Sequence, residues 1–256
     1  MTERSRLRSP AVFAIVVVLA VAAGGWLALG SPFFQVERVV VRGVRHLGQD
    51  QVRSLAGLGD DANLIRLSLD EVAARVERDP WVAAAEASRD LPSTLVIAVR
   101  ERRASGWLDA GGTVLIVAGD GTVLEDTPGP PRSLPALGEA TDPAVPGGRL
   151  GRAPLALRVT GSMPRPLLRL TREAGEDDGE IVTLLRGGGS VRYGAPVGLP
   201  EKHRAVLSIL SWADERDMAI GTLDVRIPSA PTLQPPGGGA RIAVPEGAVP
   251  APTASP

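Results

Sequence analysis

The stretch RDPWVAAAEASRDLPSTLVIAVRERRA, residues 78–104, decides the fold, because a helix stops and two paired strands begin within it. Asp79-Pro80 ends the helix: proline has no N–H for the helical ladder and pushes the residue before it towards extended geometry. Trp81 opens the first strand, and Asp90-Leu91-Pro92-Ser93 makes the turn. Thr94 to Arg100 then places Leu95, Ile97 and Val99 on one face, the period of two of a half-buried strand. The charged run Arg100-Glu101-Arg102-Arg103 either closes that strand at a solvated edge or touches something.

Upstream of this stretch, Val36, Val39 and Val41 run up to Gly43 as a strand with a glycine turn behind it. Gln49 to Ala56 predicts a short helix with Val52, Leu55 and Ala56 on one face, ended by Gly57. Ser68-Leu69-Asp70-Glu71 is a capping-box pattern and starts a second helix, Ser68 to Arg78, with Leu69, Val72, Ala73 and Val76 as its inward stripe. The order is strand, helix, helix, strand, strand.

Further upstream, Ala11 to Leu29 is nineteen residues without a charge, about 28 Å as a helix and close to the roughly 30 Å hydrocarbon core. Arg4, Arg6 and Arg8 precede it against Glu3 alone, so the positive-inside tendency keeps residues 1–10 in the cytoplasm and sends the remainder outside. Trp26 and Phe33-Phe34 suit the outer interface. Ala20-Val21-Ala22 also fits a signal-peptide cleavage site, but the apolar run continues too far for a usual signal core, which favours an anchor.

Downstream, Val114 to Val117 and Thr122 to Leu124 flank Gly119-Asp120-Gly121, a hairpin signal. Glu125 to Pro154 is rich in proline and glycine and reads as a long surface loop. Leu167 to Ala174, Ile181 to Arg186 and Ser190 to Tyr193 read as an antiparallel meander. Pro200 to Asp217 is a long helix with Val206, Ile209, Leu210 and Ala213 inward. Thr222 to Ile227 makes a final strand that Pro228 to Leu233 continues, as an edge. The reading is α+β: a single transmembrane helix at 11–29, a small βααββ domain at 34–102, a mostly antiparallel β domain with a long C-terminal helix at 105–233, and a disordered proline- and glycine-rich tail at 234–256.

With 256 residues, 44% of them hydrophobic, the chain can build two small cores, and its net charge of -1 gives no case for nucleic acid. It has no cysteine, which excludes disulfides, thiolate zinc sites and sortase-like chemistry. Its sole lysine, Lys202, satisfies neither S-x-x-K nor a P-loop. His46 and His203 are its two histidines; both are expected at the surface, with no metal-ligand partner at the right spacing. The acidic turn Glu176-Asp177-Asp178 with Glu180 is expected to be solvated. No catalytic set, cofactor, metal or small-molecule substrate is indicated, and the chain reads as an interaction protein. The competing classes are a general membrane-anchored envelope scaffold and an anchored cell-wall hydrolase.

Val39-Val40-Val41-Arg42-Gly43, Asn63-Leu64, Asp79-Pro80-Trp81-Val82, Arg89-Asp90-Leu91-Pro92 and Val99-Arg100-Glu101-Arg102, in this order behind one apolar span, resemble the POTRA domain of the FtsQ/DivIB bacterial cell-division family. Gly119-Asp120-Gly121-Thr122-Val123, Leu134-Pro135, Lys202 and Leu223-Asp224-Val225-Arg226-Ile227-Pro228 extend the resemblance to about residue 233. It implies a single-pass scaffold of the divisome at the septum, binding FtsB- and FtsL-like membrane proteins and, indirectly, FtsW- and FtsI-like ones. Strand addition is the expected docking mode, at the edge carrying Leu223, Asp224, Arg226, Pro231 and Leu233. Asp224 and Arg226 equally suit an internal salt bridge, and Lys202 is a partner candidate because the family carries a lysine on this helix. A second candidate edge is Leu95, Ile97 and Val99 with Glu101 and Arg102, if that strand is not simply a solvated one guarded by charge.

Overall fold

The computed structural model describes residues 10–29, 31–59, 61–141, 144–238 and 242–243. It begins with helix α1, Pro10–Leu29, over the expected span. Side chains are described for twelve of its residues, 13–24, all exposed. Over the described residues no helix is long and apolar enough to cross a membrane. The basic flank at Arg4, Arg6 and Arg8, the Trp26 side chain and residues 244–256 of the tail lie outside the described residues.

The chain divides into two compact units, residues 1–101 and 102–256. In the first, β1 (Arg38–Arg42), α2 (Gln49–Ala56), α3 (Leu69–Val76), β2 (Val82–Asp90) and β3 (Thr94–Glu101) follow in the expected order. Gly57 ends α2 in the left-handed conformation, and Ser68 Oγ accepts the Glu71 N–H at the start of α3. Val52, Ala56, Val72 and Val76 from the helices meet Leu95, Ile97 and Val99 from β3 in one core. Asn63 Oδ1 takes the N–H groups of Ile65 (3.0 Å) and Arg66 (3.2 Å), and Arg89 donates to the carbonyls of Leu64 and Leu67, both at 2.7 Å. The motif residues Asn63 and Arg89 therefore hold the loop between the two helices.

The candidate second edge is corrected here. The sheet order is β1-β3-β2, so β3 is the central strand. It pairs in parallel with β1 and antiparallel with β2, and Leu95, Ile97 and Val99 fill the core. Glu101 accepts the N–H groups of Arg45, His46 and Leu47 at 2.9 to 3.0 Å. Partial burial raises its pKa, but these donors outweigh that and hold the carboxyl below its ordinary value. Arg102 pairs with Asp120 at 3.0 Å, and Arg103 donates to the Met163 carbonyl. Much of the charged run is thus engaged within the chain.

The second unit runs β4 (Ala104–Asp109), β5 (Val114–Ala118), β6 (Val123–Thr127), β7 (Ala136–Glu139), α4 (Leu155–Ser162), α5 (Arg165–Leu170), β8 (Thr171–Asp177), β9 (Glu180–Leu185), β10 (Ser190–Gly194), α6 (Leu199–Asp214), β11 (Thr222–Asp224), β12 (Thr232–Gln234) and β13 (Ile242–Ala243). Among the described residues, ten strands form one sheet in the order β13-β12-β11-β10-β9-β8-β7-β4-β5-β6. The pairs β10 with β11, β4 with β7 and β7 with β8 are parallel, within an otherwise antiparallel sheet. Two readings change. The proline-rich stretch contributes β7, and residues 167–170, expected as the start of a strand, belong to α5 behind an unforeseen α4. Tyr193, Val206, Ile209, Leu223 and Leu233 belong to one continuous core with Leu157 and Leu167.

Candidate functional site

The expected final strand is two strands. Asp224 Oδ1 accepts the Arg226 N–H at 3.1 Å, an Asx turn that bends the chain out of β11. Pro228 and Pro231 fall in or beside the connection, where no ladder N–H is required. β12 then returns antiparallel, with Thr222 opposite Gln234, Leu223 opposite Leu233 and Asp224 opposite Thr232. At Gly221 an added Cβ would lie 2.7 Å from the Gln234 oxygen and from the Pro235 carbonyl carbon, so the entry to this hairpin has room only for glycine. Outside β12 lies β13, which among the described residues pairs at Thr232 with Ala243 and at Leu233 with Ile242.

Leu223, Leu233 and Pro231 are buried and anchor the hairpin in the core. What they leave for a partner is backbone. Asp224 and Arg226, for which a partner contact and an internal salt bridge were equally open, are engaged internally: Arg226 Nη2 meets Asp224 Oδ2 at 2.7 Å and its Nη1 meets Glu180 Oε1 at 2.9 Å. Arg192 Nη2 reaches Glu180 Oε2 at 2.7 Å, closing a four-charge ladder across β9, β10 and β11. Burial raises the Asp224 pKa, but hydrogen bonds from Arg226 outweigh it and leave the carboxyl below its ordinary value. Hydrogen bonds from Arg192 and Arg226 lower that of Glu180. Solvent-screened pairs of this kind contribute little to stability, so the ladder fixes register more than it stabilises.

Lys202 is 3% exposed, and its Nζ donates to the carbonyls of Tyr193 (2.7 Å) and Ala195 (2.9 Å). These flank Gly194, whose left-handed backbone (φ 63°) ends β10. Lys202 therefore locks the end of β10 from within. Burial lowers its pKa, with Asp224 opposing.

His203, expected at the surface, is buried: burial pushes its pKa down to about 4. Ser162 Oγ donates to the Arg158 and Val159 carbonyls and lies 3.0 Å from His203 Nε2, while Tyr193 OH lies 3.3 Å from Nδ1. Both ring nitrogens of His203 therefore have a hydroxyl neighbour, so the buried ring is held on both sides. His46 is the exposed histidine and stacks on Trp81, ring centroids 3.5 Å apart.

The residues that the sequence left unmarked are Val197 and Ile227, 65% and 64% exposed. They lie in adjoining connections, since the Arg226 side chain packs on Gly194. An isoleucine after Val225-Arg226 looks like the next inward position of a strand, which hid it. A groove of about 520 Å³ lined by Leu185, Leu207, Leu210, Met218 and Ile220 opens beside α6. Among the described residues no cluster of three or more His, Cys, Asp or Glu residues is placed to hold a metal.

Residues 34–102 match the family described as POTRA domain, FtsQ-type. The cell division protein FtsQ of Streptomyces collinus is 28% identical over 235 residues, 88% of each chain. That of Streptomyces venezuelae is 28% identical over 241 residues, 90% of this chain and 87% of its own. Among solved structures, the major extracytoplasmic domain of the cell division protein DivIB from Geobacillus stearothermophilus is similar with a TM-score of 0.33 and 18% identity, over 45% of this chain and 96% of that one. Residues 34–102 thus carry an FtsQ-type POTRA domain, and FtsQ cell division proteins align with this chain along most of its length.

Proposed function

We propose that this chain is a single-pass membrane scaffold that binds and localises other division proteins at the septum by accepting a partner strand at β12. The observation that carries the reading is the sheet's end: a short hairpin, rigidly seated by buried Leu223 and Leu233, whose outer backbone is covered by β13, among the described residues, at Thr232 and Leu233. Such an edge offers main-chain hydrogen bonds for affinity, and the exposed Val197 and Ile227, in the connections that follow β10 and β11, offer apolar contacts for choosing a partner. The partner strand takes the place of β13. FtsB- and FtsL-like single-span proteins are the proposed partners, with FtsW- and FtsI-like enzymes reached through them.

The charge-free run from Ala11 to Leu29 behind Arg4, Arg6 and Arg8 supports an anchor with both folded units outside the cytoplasm. No catalytic step belongs to this reading.

Affinity capture of the full chain after crosslinking tests the proposal. Division proteins of the FtsB and FtsL type are expected in the captured fraction, together with a midcell band of a fluorescent fusion. An even outline around the cell would assign a general envelope scaffold instead.

A further inference from the structure

We infer that the end of the POTRA sheet nearest α1 is a lipid-docking foot, with Phe33 and the turn tip Leu91 seated in the outer-leaflet interface. The inference rests on the proposed span. Topology brings the two side chains to one end of this unit. β1 runs parallel to β3 with Arg38 opposite Thr94, and β2 ends antiparallel with Asp90 opposite the same Thr94. The start of β1 and the β2–β3 turn therefore coincide, and the N–H groups of Glu37 (2.9 Å) and Arg38 (3.3 Å) both donate to the Ser93 carbonyl. The Leu64 N–H donates to the Phe34 carbonyl at 2.7 Å, which ties the loop between α2 and α3 to the same end.

Outside α1, Phe33 (67%) and Leu91 (59%) are the exposed large apolar side chains of this unit among the described residues. Scattered single exposures are ordinary on soluble surfaces. Two at one end, with every other described one on α1, are not scattered. The Phe33 ring is braced edge-on against Phe34, centroids 5.2 Å apart. Phe33 follows Leu29 by four residues, a reach of at most about 14 Å, while the headgroup layer is itself about 5–8 Å thick on each side. The anchor therefore holds this end at the interface, where aromatic and aliphatic side chains settle without crossing.

The charges nearby choose the kind of lipid contact. Glu37, Asp61 and Asp90 are interspersed with Arg38, Arg66 and Arg89, and Arg89 is spent on the Leu64 and Leu67 carbonyls. With no basic excess, the seat is apolar and takes zwitterionic lipid as well as anionic lipid.

The cysteine-free chain allows single-cysteine labelling with an environment-sensitive fluorophore. The full chain is reconstituted in phosphatidylcholine vesicles carrying nitroxide either on the headgroup or deep in the acyl chain. Probes sit at Leu19→Cys within α1, Asp90→Cys beside the turn tip, and Gln49→Cys at the opposite end of the sheet. Headgroup nitroxide is expected to quench residue 90 well above residue 49, unchanged by added salt, and Phe33→Ser with Leu91→Ser is expected to bring it down to the residue 49 level. Deep nitroxide is expected to quench residue 19. Quenching at 19 with residue 90 as dark to headgroup nitroxide as residue 49 overturns the foot and leaves the span standing. No quenching at 19 overturns the span itself. Quenching at 90 that needs anionic lipid and vanishes in salt overturns the apolar seat.

Discussion

Lys202 and His203 show how a residue's type misleads where its spacing does not. Both were expected outside the core, yet they precede Val206 by four and three positions and so continue the stripe Val206, Ile209, Ala213 of α6. The periodicity held the signal, and the polar names concealed it. Lys202→Met leaves the Tyr193 and Ala195 carbonyls without their donor inside the protein, a loss of about 1–3 kcal/mol. Hydrogen exchange is expected to quicken first in β10 and β11, and any loss of partner binding is expected to follow that loosening. Wild-type exchange in the variant would return Lys202 to the partner surface. His203 is neutral when folded and ordinary when unfolded, so the unfolded chain binds a proton that the folded one refuses as pH falls from about 6.5 towards about 4. Stability is full above that window and declines within it, by up to about 3 kcal/mol. His203→Gln is expected to flatten the decline measured by thermal unfolding between pH 7 and 5; an unchanged slope would contradict the buried neutral ring.

At the scale of elements, β3 is the instructive error. Alternation of Leu95, Ile97 and Val99 reports that one face is buried, which is equally true of a central and an edge strand. What made β3 central is its parallel pairing with β1, a contact between segments some fifty residues apart that no local pattern encodes. The same holds for β7, which joins the sheet through parallel neighbours on both sides. The β11–β12 hairpin was hidden because proline at the end of a strand reads the same whether the chain continues or turns. Its seat is testable at Gly221, where any side chain meets the Gln234 oxygen and the Pro235 carbonyl. Gly221→Val is expected to detach β12 and reduce partner capture by at least about tenfold, corresponding to roughly 1.4 kcal/mol, with the POTRA unit unchanged by hydrogen exchange. Removal of residues 239–256 takes away β13 and is expected to leave partner capture equal or raised. A loss on truncation would mean that the tail is part of the docking surface.

For the whole molecule, both units, their boundary and the POTRA element order were legible in sequence, because helix stops, caps and period-two strands are local signals. The sequence pointed to the β11–β12 region as the candidate site, but not to its geometry: the residues named there, Leu223, Asp224, Pro231 and Leu233 among them, build the hairpin, whereas Val197 and Ile227 are exposed. The proposed docking uses one end of a sheet whose other end, at β6, is a matched control. Site-specific photo-crosslinking in growing cells, with the reactive residue placed in turn at Thr232, Gln234 and, on β6, Asp126, tests the claim directly. Crosslinks to an FtsB- or FtsL-like partner at 232 and 234, with none at 126, are the predicted result. Crosslinks at 126 alone, or at none of the three in cells where the partner is captured, would contradict strand addition at β12.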